Sequence, residues 1–301
     1  LSASSGDDTI AWYENDGTAD PSFTNRAITT GARGAKSVFA TDVDGDGDTD
    51  VLSASSGDDT IAWYENDGTV DPSFMKRTIT TNAGYAVSVF ATDIDGDTHT
   101  DVISAHGRKV TWYENDDGAD PSFTTRTISR GADATGSVYA TDVDGDGHTD
   151  ILSASFGVWY EHSGQANPSF VARTITNGVD EAYSVYATDI DGDGDTDLLS
   201  AFQNYDAIAW YENDGQDDPS FTRRTIDFNA VGAYSVFATD VDGDGDTDLL
   251  SASRDDDAIA WYENDGTVDP SFSFSRRTIT TDADGARSVF ATDVDGDGDA
   301  D

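Results

Sequence analysis

The apolar positions of this chain fall in short runs rich in β-branched and aromatic residues, of the types SVFATDV, VLSAS, TIAWYE and FTNRAIT. Gly, Asp, Asn and Pro divide these runs, and the 3.6-residue periodicity of an amphipathic helix is absent. Four antiparallel strands, first to fourth, are expected from each set. The set recurs over the whole length: tryptophans stand at 12, 63, 112, 159, 210 and 261, with spacings of 51, 49, 47, 51 and 51. Units begin at Ser37, Ser88, Ser137, Ser184, Ser235 and Ser288.

Six four-stranded sheets of about 50 residues match the blade size of a β-propeller. The expected fold is all-β: a single six-bladed β-propeller domain with blades at 37–81, 88–130, 137–177, 184–228, 235–281, and 288–301 joined to 1–30. A linear solenoid or a string of separate beads would use the same repeat. The chain begins at Leu1 and stops at Asp301, so joined head to tail it lacks one residue of the internal spacing seen at Asp50-Val51-Leu52. The last blade is therefore expected to take its first strand from 288–294 and the other three from the N-terminus, fastening the ring without an exposed edge.

Composition narrows the partners. Sixty Asp and Glu against 16 Lys and Arg give a net charge of -44, yet 36% hydrophobic and 11% aromatic residues point to a packed core rather than disorder. Such charge repels nucleic acid and anionic membranes, leaving cations, neutral ligands such as sugars, or basic partners. There is no Cys, no apolar run of about 18 residues for membrane insertion, and no signal-peptide pattern in LSASSGDDTI, so a soluble, monomeric domain is expected.

The acidity concentrates in one loop, DVDGDGDTD at 42–50 and its copies. Carboxylates at alternate positions and again at position nine, with Gly allowing a sharp turn, suit a hard cation that takes 6 to 8 oxygens, and calcium is the natural guest. Asp42, Asp44, Asp46 and Asp50 would ligate through side chains and Asp48 through its carbonyl. The matching carboxylates are Asp93, Asp95, Asp97 and Asp101; Asp142, Asp144, Asp146 and Asp150; Asp189, Asp191, Asp193 and Asp197; Asp240, Asp242, Asp244 and Asp248; and Asp293, Asp295, Asp297 and Asp301. Asp195, Asp246 and Asp299 take the place of Asp48. Up to six Ca2+ ions are expected, one per blade. A solvated acidic turn is the alternative, but unit charges 4 Å apart repel by about 1 kcal/mol in water and about 4 kcal/mol at an effective dielectric of 20. The second loop departs from the others, with Thr98 where they carry Gly.

With its flanking strands, the D-x-D-x-D-G-x-x-D motif resembles the FG-GAP and VCBS repeat family, which includes the propeller of integrin α chains and a calcium-containing fungal lectin propeller. The resemblance covers all 301 residues. It implies calcium in the loop between first and second strands, extracellular placement, and adhesion or ligand binding. The blade number, six against seven in integrins, and the lack of an inserted domain bar transfer of an integrin ligand.

Strand parity puts the acidic loops and the third-to-fourth hairpins on one face, and the second-to-third and blade-to-blade connections on the other. The repeated Arg and the next loop's first Asp are always 16 residues apart, whereas Asp50 to Trp63, Asp101 to Trp112 and Asp150 to Trp159 span 13, 11 and 9. Length change thus falls on the face opposite the acidic loops. Aromatic residues beyond the repeat's own need fall there too: Tyr85, Tyr183, Tyr205, Tyr234, Phe156, Phe202 and Phe228, with Phe274 alone assigned to the acidic face. Surplus basic residues join them, Lys36, Arg254 and Arg287 among them. The position before each unit's first Ser varies most: Lys36, Val87, Gly136, Tyr183, Tyr234 and Arg287. Lys36, Tyr85, Tyr183, Phe202, Tyr205, Tyr234, Arg254 and Arg287 are the ligand-binding candidates, for a glycan or a protein. Unconstrained loop drift is the alternative.

Other recurrent residues read as structure. The Trp-Tyr pairs lie on third strands covered on both faces, and Glu14 with Arg26 and its copies read as cross-strand ion pairs. The four histidines, His99, His106, His148 and His162, hold no repeated position and make no catalytic set. The expectation is an extracellular recognition or adhesion module, with a lectin as the alternative and a hydrolase acting in the central channel a distant third.

Overall fold

A computed structural model describes residues 1–18, 21–116, 121–130, 136–154, 157–176, 182–266, 274–294 and 300. The fold is an all-β, six-bladed β-propeller whose only helical element among the described residues is the 3-10 turn Gln203–Tyr205. Five four-stranded sheets follow in order: Ala35–Thr41, Asp50–Ser55, Thr60–Asn66 and Phe74–Thr80; Ala86–Thr92, Asp101–His106, Lys109–Asn115 and Phe123–Arg130; Val138–Thr141, Asp150–Ser153, Val158–His162 and Phe170–Thr174; Ser184–Thr188, Asp197–Phe202, Ala207–Asn213 and Phe221–Asp227; Ala233–Thr239, Asp248–Ser253, Ala258–Asn264 and Phe274–Thr280. The N-terminal sheet has three strands, Ser2–Ser4, Thr9–Asn15 and Phe23–Thr29.

Two compact units divide the contacts. The first is Leu1–Ala140 with His148–Ser153 and Tyr160–Val171; the second is Thr141–Gly147 with Ala154–Trp159 and Ala172–Asp301. Within the first, successive first strands lie side by side: Val89 N donates to Ser37 Oγ at 3.3 Å and Val138 N to Ser88 Oγ at 3.2 Å. Phe39, Phe90 and Tyr139 form a row with centroids 4.7 and 4.8 Å apart. Within the second, Val236 N donates to Ser184 Oγ and Tyr186, Phe237 and Phe290 form the same row. Residues 288–294, the expected first strand of the last blade, pack on the fifth blade as the other first strands pack on their predecessors, with Val289 N donating to Ser235 Oγ at 3.4 Å. No strand ladder is assigned to them.

Alternation of side chains explains why the second strands of the five four-stranded sheets are buried throughout. Val51 packs with Ile10, Ala32 and Tyr64, whereas its neighbour Leu52 packs with Ala83, Val89 and Tyr113 of the next blade. Adjacent residues point to opposite faces, so one strand serves two interfaces. Trp63, Trp112, Trp159 and Trp210 are buried, as expected for core. The repeated Arg covers that Trp: the Arg126 guanidinium sits 5.1 Å over Trp112 and Arg277 5.2 Å over Trp261. Its other contact is the expected cross-strand ion pair, 2.7 Å for Arg26–Glu14, 2.8 Å for Arg77–Glu65 and 2.7 Å for Arg126–Glu114.

Two irregularities recur that local pattern does not announce. In the fourth strand an extra residue opposes the third, as where Ile10 pairs Thr29 but Ala11 pairs Ala27. In the first strand the extra residue is the one before the repeat's Ser: Ala35 pairs Ser55 and Ser37 pairs Ala54, leaving Lys36; Ala86 pairs His106 and Ser88 pairs Ala105, leaving Val87; Ala233 pairs Ser253 and Ser235 pairs Ala252, leaving Tyr234. The first strands at Ala35, Ala86 and Ala233 thus begin two residues before Ser, at a β-bulge that turns the extra side chain away from the regular pleat.

Candidate functional site

Each acidic loop is built on backbone N–H groups. Asp42 takes Gly45 N at 2.8 Å on Oδ1 and Gly47 N at 2.9 Å on Oδ2, while Asp50 takes Asn66 N at 2.8 Å and Val43 N at 3.0 Å. The same pairs recur through Asp93 and Asp101, Asp189 and Asp197, and Asp240 and Asp248. Positions one, three and nine converge, with one oxygen from each within 4.8 Å of the others, in Asp42/Asp44/Asp50, Asp93/Asp95/Asp101, Asp189/Asp191/Asp197 and Asp240/Asp242/Asp248. In the third blade Asp142, Asp144 and Asp146 meet, and buried Asp150 takes His162 N at 2.7 Å. Elsewhere position five turns to the loop backbone: Asp46, Asp97, Asp193 and Asp244 accept the N–H two residues on. The position-seven carboxylates of Asp48, Asp195 and Asp246 lie against Gly68, Gly215 and Gly266, where a Cβ would come within 2.0, 2.1 and 2.2 Å. Asp293 is described; Asp295, Asp297, Asp299 and Asp301 lie outside the described residues.

These clusters fit a cation. Burial, opposed by the two backbone donors, pushes the carboxyl of Asp50 up to about 6, Asp101 to about 7 and Asp197 to about 8. Burial and the neighbouring Asp193 charge raise Asp191 to about 6. Asp95 Oδ1 is buried with no hydrogen-bond partner. Oxygen-only donors with spare lone pairs, short of a countercharge, are what a hard divalent ion satisfies.

Successive loops are also tied to one another. Asn115 Nδ2 donates both to Thr100 O in its own blade and to Val43 O in the loop before it, each at 3.1 Å. Asn213 and Asn264 repeat this towards Val143 and Ile190. Thr149 Oγ1 reaches Asp93 O, and Thr247 Oγ1 reaches Asp189 O, both at 3.1 Å.

Thr98 follows the path of the glycines it replaces. Its φ is 79° and its N–H still meets Asp93 Oδ2 at 2.9 Å, so the loop keeps its form at the expense of a β-branched residue in the left-handed region. Thr98→Gly is expected to raise the unfolding free energy by about 1 kcal/mol, strain relief exceeding the entropy of the added glycine. Urea titration measures it; an unchanged or lower midpoint would show that no strain resides there.

On the opposite face, the second-to-third hairpin holds the chain entering the next blade. Asp8, Asp59, Asp206 and Asp257, all with φ between 53° and 60°, accept Ala32, Ala83, Ala230 and Ala283 N on their carbonyls. Their Oδ1 atoms take Gly34, Tyr85, Gly232 and Gly285 N at 2.8 to 2.9 Å. This clamp leads straight into the first-strand bulge. Its Asp residues repeat in the sequence at fixed distance from the Trp, a signal that was legible but unassigned. The clamp and the Asn–Asp contacts of the acidic loops place the two kinds of connection on the faces that strand parity predicts.

The position before the repeat's Ser is where candidate ligand residues meet. Tyr183 and Tyr234 have ring centroids 5.1 Å apart, and the Arg287 guanidinium lies 5.4 Å over the Tyr234 ring. Arg254 Nε donates to Asp255 Oδ1 at 2.7 Å. With the Gln203 amide oxygen turned to Arg254, it accepts from both Nη atoms at 2.9 and 2.7 Å, and the amide nitrogen lies 3.2 Å from the Tyr183 hydroxyl. The hydrogen bond from Arg254, aided by the Arg254 and Arg287 charges, holds the Asp255 carboxyl below its usual range. Gln203 had no part in the sequence expectation; only the turn Gln203–Tyr205 brings it here.

The other candidates differ in exposure. Lys36 is an exposed bulge residue and Tyr205 is 52% exposed. Tyr85, 63% exposed, adopts φ 60° where other blades carry Gly34, Gly232 and Gly285. Phe202 does not reach the surface: it is 2% exposed under Arg223, because as the last residue of a buried second strand it points inward. Phe156 lies outside the described residues.

Known structures share this fold at low identity. An Agrocybe aegerita lectin recognising non-reducing terminal N-acetylglucosamine matches 92% of this chain and 81% of its own at 15% identity, TM-score 0.59. A periplasmic gluconolactonase of Pseudomonas aeruginosa matches 93% and 78% at 12% identity, TM-score 0.61. The V. cholerae biofilm matrix protein Bap1 matches 84% of this chain at 17% identity, TM-score 0.51, and the chain spans 40% of it. No curated protein is a recognisable sequence relative. The model of the FG-GAP-like repeat matches at 1–53, 42–104, 93–153, 142–200, 189–251 and 240–301, all but the first running from one acidic loop to the next. With six repeats spanning its length and an aspartate cluster in each described loop, this chain belongs to the FG-GAP-like repeat family.

Proposed function

We propose that the chain is a calcium-stabilised, extracellular recognition module that binds a glycan through the face opposite its acidic loops. The observation that carries this reading is the contact row of Tyr183, Tyr234 and Arg287, three copies of the repeat's most variable position brought into contact although they come from successive blades. Tyrosine rings with a polar rim suit the apolar faces and hydroxyls of a sugar. The cluster's one carboxylate, Asp255, is already paired with Arg254, which favours recognition over acid-base catalysis. The same fold in a lectin that recognises N-acetylglucosamine adds support.

Calcium is the cation of choice because the loops offer oxygen donors alone, and extracellular modules bind it at about 10⁻⁴ to 10⁻³ M, suited to a calcium-rich compartment. The role of the ion is structural: Asp42, Asp44 and Asp50 and their copies hold it away from the row. The test is a broad glycan array at about 2 mM calcium, repeated with chelator and with Tyr183→Ala/Tyr234→Ala. Selective binding that both treatments abolish is expected. Silence from protein that melts cooperatively with calcium would remove the glycan reading and leave a protein ligand.

A further inference from the structure

The two arginines beside the tyrosine pair are in different electrostatic states. Arg254 is neutralised and immobilised, with Asp255 on Nε and the Gln203 oxygen on both Nη atoms. Arg287 is exposed and stacked on Tyr234, and among the described residues no carboxylate lies within ion-pair distance of it. Asp255, whose carboxyl its charge helps to hold low, is paired with Arg254. In a chain carrying 60 acidic residues against 16 basic ones, a guanidinium held on an aromatic ring without an acid partner stands out. Stacking leaves its planar edge of N–H donors free, and that edge matches a carboxylate bidentately.

We propose that the row takes a glycan bearing a carboxylate, a uronic-acid residue, its ring on Tyr183 and Tyr234 and its carboxylate on Arg287; the proposal rests on the glycan reading above. A single guanidinium supplies one countercharge, so the match is one charge on one ring. The net charge of -44 disfavours a densely charged polyanion, whose further charges would meet acidic surface within the Debye length of about 8 Å at physiological salt.

The experiment uses the full chain with calcium, titrated calorimetrically with uronic-acid-containing oligosaccharides and with the same oligosaccharides after reduction of the carboxyl to the primary alcohol. Native chain is expected to prefer the acidic form by about tenfold or more, the worth of a charge-assisted hydrogen bond. Arg287→Met, which keeps the stem over Tyr234, should abolish the preference without weakening the reduced form, and Arg287→Lys should restore part of it. Equal affinity for both forms, or a preference that survives Arg287→Met, overturns the proposal while leaving the glycan reading intact. If neither form binds and neutral glycans bind through the tyrosines, the carboxylate proposal alone falls. Binding of no glycan at all overturns both.

Discussion

Asp197→Ala is expected to lower the unfolding free energy of the cation-saturated protein by about 4 kcal/mol. Asp197 is 1% exposed and accepts Ile190 N at 3.0 Å and Asn213 N at 2.8 Å. Truncation leaves both donors buried and unpaired, at about 1–3 kcal/mol each. It also loosens Asn213, whose amide joins its own loop at Thr196 O to the preceding loop at Val143 O, both at 3.0 Å. A cation ligand goes too. In chelator the loss should be smaller, because burial raises the Asp197 carboxyl to about 8 and removing an unfavourably buried acid returns part of the cost. Urea unfolding with an unchanged m-value reads the difference. A loss under about 1 kcal/mol, against the penalty expected for unpaired donors, would show that the loop relaxes to resatisfy them. An equal loss with and without calcium would remove Asp197 from the ligand set.

The second large effect is the pH dependence of the cation-free chain. In chelator, the melting temperature should fall as pH rises from 5 to 8.5. Asp50, Asp101 and Asp197 hold their protons up to about 6, 7 and 8 in the folded state, all through burial, against an ordinary carboxyl value of 3.8. A carboxyl with a raised folded pKa stabilises the fold fully below its unfolded value, and that stability is lost as pH climbs through the folded value. At 1.36 kcal/mol per pKa unit, the loss over this window comes to about 8 kcal/mol, most of it from Asp101 and Asp197. Calcium should reverse the trend: protons compete with the ion, so loaded protein is expected to gain stability over the same window and the gap between the two forms to widen. A chelated protein whose melting point rises with pH would mean that these carboxyls ionise freely and that the loops need no countercharge.

Blade number, strand order and the two-faced arrangement were legible in the sequence, because six copies of one unit average away local ambiguity and strand direction alternates by necessity. The acidic loops were legible for a related reason: the converging carboxylates come from nine consecutive residues, so spacing along the chain is spacing in space. Cross-strand Glu–Arg pairs followed from a tight hairpin. What the chain could not announce was everything that depends on register between strands. Only the fold shows that Lys36, Val87 and Tyr234 at the variable position are bulge residues, that Tyr183, Tyr234 and Arg287 touch although about 50 residues separate each from the next, and that Gln203 and Asp255 join them. The fate of Phe202 was equally hidden, since an aromatic residue beyond the repeat's need reads alike whether its strand ends facing in or out. Local chemistry written in consecutive residues survives projection onto a sequence, whereas contacts made by neighbouring blades exist only once pairing register and packing have brought distant residues to one surface.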